Sequence, residues 1–454
     1  MLLAATAVQA QIIREVDFTR SGGTALNKNT VGGFCPQKWL DASQIYSMTH
    51  VLSPLSMPFN CVNLPNIYEV HILSDGTWKD SSPSQKVIFD NMRAAGMGIH
   101  VKMEAIPKGS GIRGDADKTR RLFNSSYDAV KEFSGNADIY YEILNEPELS
   151  DLEWGYASFD AFWKDFKNAY IALAAKRTVT PRLKIGGPGF ANTQWLIQFV
   201  NRLKLESVKL DFISFHYYLD WRDAQSLDQY NGQGAIDRMN SLVNGISSYK
   251  SIINPNLKLF CTEFNWTNGD GGLASGYCKV AQNGYKNCAR SLEALKLIID
   301  QLGAVDRFYW AQSVGQKNDF FTLENYDASS GKYAYRSGYY AHWMFNSMAS
   351  TRRHFQSDSK IGGLASSNDD KHHVTVWNRS DLSQILKLNI KTPNASNTYS
   401  YRLHIIDAST FSFALGNNKM PHYTTGTLSN LGTIFLASEA TAYIEILPGS
   451  MSRK

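Results

Sequence analysis

The sequence of 454 residues predicts an α/β protein: a (β/α)8 TIM barrel followed by a smaller antiparallel β-sandwich. Three observations carry that expectation. From about residue 60 to 350 short apolar runs alternate with longer amphipathic ones, the pattern of repeated β-α units around a parallel sheet. After Arg352 the texture changes to short alternating segments separated by Ser/Asn/Gly clusters. The length, finally, suits one large and one small domain, since barrels reach about 250 residues or more.

The barrel strands are placed at Cys61 to Ile72, Ile99 to Ile106, Ile139 to Leu144, Leu183 to Gly187, Leu210 to Tyr218, Leu257 to Phe264 and Arg307 to Gln312. These are nearly continuous apolar runs, as expected of parallel strands covered on both faces. They are the second to the eighth strands, and the first belongs somewhere before residue 60. Helices lie between them, with apolar residues recurring at three and four: Phe159, Phe162, Phe166, Tyr170 and Leu173 in one, Leu292, Leu295, Ile299 and Leu302 in another. Gly96 and Gly303 follow two helices where a left-handed C-cap would sit. A doubly wound sheet would show the same alternation, but its Gly-rich phosphate turn is missing.

Residues 20–350 are therefore assigned to the barrel and 352–450 to the accessory domain. The accessory strands are His373 to Trp377, Ile385 to Ile390, Tyr399 to Ile406 and Ala440 to Leu447, and the early strand Ile12 to Phe18 is expected to cross back and join them.

Composition excludes several function classes. With 43% hydrophobic and 19% charged residues the chain is neither disordered nor a membrane protein, and no run of about 18 apolar residues predicts a membrane span. The net charge of +5 is dispersed, so no nucleic-acid partner is expected. The ten histidines never fall into HExxH or similar spacing, so neither a metal site nor another cofactor is predicted. The 12% aromatic content suits a sugar-binding cleft as well as an aromatic core.

Met1 to Ala10 reads as the apolar part of a secretory signal lacking its charged leader, with a cut before Gln11. Secretion is in keeping with four glycosylation sequons, at Asn124, Asn265, Asn378 and Asn394. Of five cysteines, Cys278 and Cys288 bracket a polar loop and are expected to be bridged, with Cys35 and Cys61 a weaker second pair. Cys261 stands two residues before Glu263 on a strand, so it should share the inward face as a small buried filler.

Cleaving a glycosidic bond takes two carboxyl groups, one protonated to help the leaving oxygen depart and one ionised. In a barrel such groups belong at the C-terminal ends of strands. In YEILNEPEL, Asn145 and Glu146 stand where the fourth strand stops; in LKLFCTEFNW, Glu263 holds the same place on the seventh, facing the fourth across the mouth.

Here the chain resembles clan A of the glycoside hydrolases, most closely family 39, that of β-xylosidases and α-L-iduronidases. The likeness rests on EILNEPELSDLEWGYASFDAFWKDF, KIGGPGF, LDFISFHYY, LFCTEFNW and FYWAQSV, in that order, from about residue 96 to 345. It implies Glu146 as acid/base, Glu263 as nucleophile and Asn145 as partner of the sugar 2-hydroxyl. His216 and Tyr218 on the sixth strand, Trp310 and Gln312 on the eighth and Glu324 beyond it are then substrate-binding candidates. A satisfied core histidine, a barrel-filling tryptophan and solvated surface for Glu324 and Trp266 are the plainer alternatives. Lys102 and Glu104 share a face of the third strand, either as an internal ion pair or against sugar.

Two departures matter for substrate identity: Leu144 stands where the family has tryptophan before NEP, and Phe264 follows TE. The function expected is retaining hydrolysis of an oligosaccharide, polysaccharide or glycoside, first as an exo-acting β-glycosidase of the β-xylosidase type. An endo-acting polysaccharide hydrolase and a catalytically inactive carbohydrate-binding protein remain as alternatives.

Overall fold

The computed structural model describes residues 11–35, 55, 59–64, 71–79, 84–134, 138–152, 154–191, 195–219, 233–248, 250–266, 284–311, 314–316, 324–327, 332–368, 371–394, 398–409 and 422–448. The expected signal segment, Cys278 and Gln312 fall outside them.

Chain order begins with β1 (Ile12–Ser21) and enters the barrel at β2 (Gly33–Cys35) and β3 (Phe59–Leu64). Then come α1 (Ser84–Ala94), β4 (Gly98–Met103), α2 (Ala116–Ser134), β5 (Ile139–Ile143), α3 (Phe159–Val179), β6 (Leu183–Phe190), α4 (Leu196–Leu205) and β7 (Phe212–Tyr218). After α5 (Gln233–Ser247) and α6 (Lys250–Ile253) follow β8 (Lys258–Asn265), α7 (Lys286–Gln301) and β9 (Arg307–Ala311). A small sheet of β10 (Val314–Gln316), β11 (Glu324–Asp327) and β12 (Lys332–Tyr335), not foreseen from the sequence, precedes α8 (Ser337–Ser347).

Strands β2 to β9 form a closed barrel, parallel throughout, in which Gly33 and Phe34 pair with Phe59 and Asn60 on one side and with Tyr309 and Trp310 on the other. The missing first strand is thus the three-residue Gly33–Cys35. Gly33 has no side chain because a Cβ there would lie 2.5 Å from the Tyr309 ring. Gly96 takes the expected left-handed φ of 69°, but Gly303, which directly follows the Leu302 C-cap of α7, does not.

Inside the barrel, Cys35, Phe212, Phe260, Tyr309 and Ala311 pack together with Tyr140 against them; the Phe212 and Phe260 rings stack 4.9 Å apart. Period-two alternation sends their neighbours outward to the helices. Above this apolar plug lies a buried polar layer. Arg307 donates to the Tyr309 hydroxyl (3.0 Å), and His100 bridges that hydroxyl through Nδ1 (2.8 Å) and the Glu142 carboxylate through Nε2 (2.7 Å). Burial keeps His100 from ionising, so Nε2–H donates to an ionised Glu142, whose other oxygen accepts from Thr262 (3.1 Å).

The accessory region contains every expected strand and is consistent with a sandwich domain, but it is mixed and not purely antiparallel. Hydrogen bonding runs through one nine-stranded sheet in the order β18 (Tyr423–Thr427), β17 (Tyr399–Ile406), β20 (Thr441–Pro448), β15 (His372–Asn378), β14 (Ile361–Ser367), β13 (Arg352–Phe355), β1, β16 (Gln384–Lys391), β19 (Thr433–Leu436). The returning β1 makes it mixed: it pairs antiparallel with β13 but parallel with β16, from Ile12 opposite Leu386 to Asp17 opposite Lys391.

Helix α7 ties barrel to sheet. Arg290 meets Glu439 through two hydrogen bonds (2.8 and 3.2 Å), both side chains buried, and its guanidinium lies over the Trp266 ring. Trp266 is accordingly a buried joint residue, neither a solvated nor a sugar-facing one. Removing one member of a buried pair strands the other charge, at a cost of about 3–5 kcal/mol. Arg290→Met should lower stability in urea by about that amount, and Arg290→Met/Glu439→Leu should recover most of it; a single variant as stable as wild type would contradict the pair's role.

Three expectations about modification are not met, two of them because the asparagine is buried. Cys288 is a buried free thiol on α7, so the expected bridge to Cys278, itself outside the described residues, is not seen, and Cys261 is likewise a buried free thiol. Asn265 is fully buried with its amide donating to the Ala311 carbonyl (2.7 Å), and Asn378 is fully buried and donates to Leu382 (2.7 Å) and Ala437 (2.9 Å). Neither nitrogen can carry a glycan. Asn124 is half-buried within α2, while Asn394 is exposed.

Candidate active site

The C-terminal ends of β4, β5, β7 and β8 bring six polar side chains together. On β4 the residues Ile99, Val101 and Met103 face the helices, so His100 and Lys102 face inward. Lys102 is fully buried. Its Nζ donates to Glu263 Oε1 (2.8 Å) and Asn145 Oδ1 (3.0 Å), so Glu263 is an ion partner of Lys102.

After β5 the backbone bends sharply. Leu144 and Glu146 both take left-handed φ, 66° and 43°, an uncommon conformation for residues with a Cβ that costs about 1–3 kcal/mol each. The surroundings impose it: Asn145 N–H donates to the Glu104 carbonyl (2.9 Å), and Glu146 N–H to the Gly189 carbonyl (3.1 Å). The bend turns consecutive Asn145 and Glu146 to the mouth. Gly189 must itself be a glycine, with φ of 64° and an added Cβ only 2.6 Å from Glu142 Oε1 and 3.1 Å from His216 Nε2.

On β8 the alternation is broken. Phe215 of β7 pairs with Cys261, but the next residue, His216, pairs with Glu263, leaving Thr262 as an extra residue of bulge type. Thr262 and Glu263 therefore both reach inward, to Glu142 and Lys102. Cys261 packs instead in the apolar layer on the helix side, contrary to the expectation that it shares a face with Glu263.

His216 Nδ1 lies 2.8 Å from Glu146 Oε1 and 3.5 Å from Glu263 Oε2, and the Tyr218 hydroxyl donates to the same Glu263 oxygen (2.8 Å). Burial disfavours a charged imidazole here. The two adjacent carboxylates outweigh it, pushing His216 up to about 9. For Glu263 too burial opposes charge, but His216 and Lys102 prevail and hold its carboxyl well below the usual range. One oxygen or nitrogen each from Glu146, His216 and Glu263 lie within 4.8 Å of one another. Such atoms could reach one cation, and the Lys102 ammonium already faces the Glu263 carboxylate. The Glu146 and Glu263 side chains are 15% and 19% exposed, enough for a substrate to reach both.

Of the expected site residues, Asn145, Glu146, His216, Tyr218 and Glu263 converge. Trp310 does not: it lies on the outer face of β9, its ring edge-on to His342 of α8 (4.7 Å) and Phe264 (6.0 Å), because Tyr309 and Ala311 take the inward positions. Glu324 opens β11, where only the strand position is described. Lys102 as partner of both functional segments, His100, Glu142 and Thr262 were missed. Polar residues alternating within the apolar runs GIHVKM and IYYEI were the available signal.

The chain is similar to several known proteins. Residues 132–272 match the model of the glycosyl hydrolases family 39, a span containing both glutamates. A beta-xylosidase of Caldicellulosiruptor saccharolyticus is 34% identical over 79 residues, which are 17% of this chain and 15% of that protein. Among solved structures, a monomeric beta-xylosidase from Caulobacter crescentus CB15 superposes with a TM-score of 0.68 at 15% identity, covering 97% of this chain and all of that one. The GH39 enzyme from Xanthomonas axonopodis pv. citri does so at 0.65 and 15%, over 99% of this chain and all of its own. At that identity the structures speak for the fold. The chain is thus similar to the glycosyl hydrolases family 39 over residues 132–272, and in fold to enzymes of that family.

Proposed function

We propose that the protein is a retaining glycosidase, exo-acting and of the β-xylosidase type, with Glu146 as acid/base and Glu263 as nucleophile. The observation that carries this is the convergence of the two carboxylates on His216, an oxygen of each within 4.8 Å, an approach that favours a close pair. Retaining enzymes hold the two groups about 5–5.5 Å apart, whereas inverting ones leave roughly 6.5–9.5 Å for a water. The family 39 match across both residues and the beta-xylosidase relative support the sugar class.

In this mechanism protonated Glu146 gives its proton to the departing glycosidic oxygen while ionised Glu263 attacks the anomeric carbon. A covalent glycosyl-enzyme forms. Glu146, now a carboxylate accepting from His216 Nδ1, then takes a proton from the water that releases the sugar. The Tyr218 hydroxyl and Lys102 each hold one oxygen of Glu263.

With an aryl β-xyloside, proton NMR of the first-formed xylose should show the β anomer before mutarotation. An initial α anomer would overturn the two-step mechanism, and an inactive protein across a panel of aryl glycosides would favour a binding role. Export from the cell belongs to the same proposal, supported by the apolar Met1–Ala10 stretch. N-terminal sequencing of secreted protein would test it, a start at Gln11 being the expected result.

A further inference from the structure

We infer that Lys102 is a positioning residue that sets the nucleophile and the sugar-facing amide together, through one ammonium group shared by Glu263 and Asn145. The inference rests on the glycosidase assignment above and deepens it.

The geometry is restrictive. A lysine ammonium has donors and no acceptor, so whichever way an amide is placed, the atom of Asn145 that faces it must be the oxygen. At 3.0 Å from Nζ, Oδ1 is fixed there, and the Asn145 NH2 is left to point away, as a donor toward a substrate oxygen. The same Nζ is 2.8 Å from Glu263 Oε1. Its four-carbon stem rises inside the closed barrel, fully buried, so the ammonium cannot swing out to solvent as surface lysines do. The other oxygen of Glu263 is held independently by Tyr218 and faces His216. Lys102 therefore couples β4, the end of β5 and β8 at one point.

Two consequences separate positioning from mere structural support. Without the ammonium the Asn145 amide is free to flip, so discrimination for the 2-hydroxyl should fall. Glu263 also loses one of the two cations that keep it ionised. Around it would remain His216 and Tyr218 from β7, Glu146 from the end of β5 and its own strand neighbour Cys261. Its titration should then move up by about one pH unit or more, the usual effect of one charge at this range.

The experiment compares wild type with Lys102→Met, which keeps the stem volume, and Lys102→Gln, which keeps a hydrogen-bonding end without charge. Each is assayed on 4-nitrophenyl β-xyloside and its 2-deoxy analogue across pH, and the glutamate carboxyls are titrated by carbon-13 NMR, with Glu263 assigned by its Gln variant. In Lys102→Met, kcat/KM on the xyloside should fall about 10²-fold or more, as when one preorganised donor is removed. The penalty for lacking the 2-hydroxyl should shrink, and the Glu263 titration should rise in both variants. An unmoved Glu263 titration, or undiminished 2-hydroxyl discrimination in a folded variant, would overturn the inference. A wild type inactive on xylosides would instead refute the sugar assignment, while the NMR titration would still decide the Lys102–Glu263 coupling.

Discussion

Glu263→Ala should lower kcat/KM by about 10⁴-fold or more, the scale seen when a covalent nucleophile is lost. The site explains why so little would remain. Lys102, His216 and Tyr218 all converge on this carboxylate, so removing it leaves two buried cationic groups facing an empty mouth and no group within reach of the anomeric carbon. Added azide, small enough to enter the space, should restore turnover and give the glycosyl azide of inverted configuration. Near-normal activity without azide would remove Glu263 from its role. The pH dependence follows with its sign fixed: because Glu263 is held below its ordinary 4.5, it stays ionised as pH falls through the usual carboxylate range. The acidic limb of kcat/KM should accordingly lie below pH 4.5, with activity lost on the low side of that limb.

Glu146→Gln should separate substrates by leaving group. Departure of an alkyl or sugar alcohol needs a proton, so such substrates should slow about 10³-fold or more; a dinitrophenolate leaves unaided, and its glycosylation step should be nearly unchanged. Release of the glycosyl-enzyme also needs Glu146 as a base, so a rapid burst followed by slow turnover is expected on activated substrates. Equal losses on both classes, without a burst, would argue against the acid role. Gln keeps an oxygen able to accept from His216 Nδ1, so the left-handed bend at Leu144 and Glu146 should survive and the effect can be read as chemistry.

Much of this site was legible in sequence because strand ends announce themselves: an apolar run stops, a polar residue and Pro147 follow, and closure of the barrel sets the fourth and seventh strands opposite each other. What was illegible has local causes. Gly33–Cys35 is too short to show a periodicity, and its place is decided by pairing with β3 and β9, distant in sequence. The extra residue at Thr262 inverts the facing of everything beyond it, so strict alternation put Cys261 on the wrong side. Trp310 was assigned a face by resemblance, whereas Tyr309, hydrogen-bonded to His100 in the barrel interior, fixes the register of β9 and sends its neighbour outward. Asn265 and Asn378 match a tripeptide rule that says nothing of burial, and both amides are spent on backbone carbonyls.

The return of β1 to the accessory sheet has a consequence for biosynthesis. The Glu15 amide donates to Gln356, 341 residues further along, and β1 is flanked on its other side by β16, later still. At roughly 5–20 residues per second a ribosome needs about 17–70 s to deliver those partners, longer than a barrel domain takes to begin forming. During that interval β1 has both edges unpaired, and an unpaired strand edge is a template for association with other chains. The charged residues Arg14, Glu15, Asp17 and Arg20 within the strand blunt that hazard while it waits. Nascent chains halted before residue 352 would expose that edge throughout, so the ordering of synthesis, and not the finished contacts, sets when this protein is most prone to aggregate.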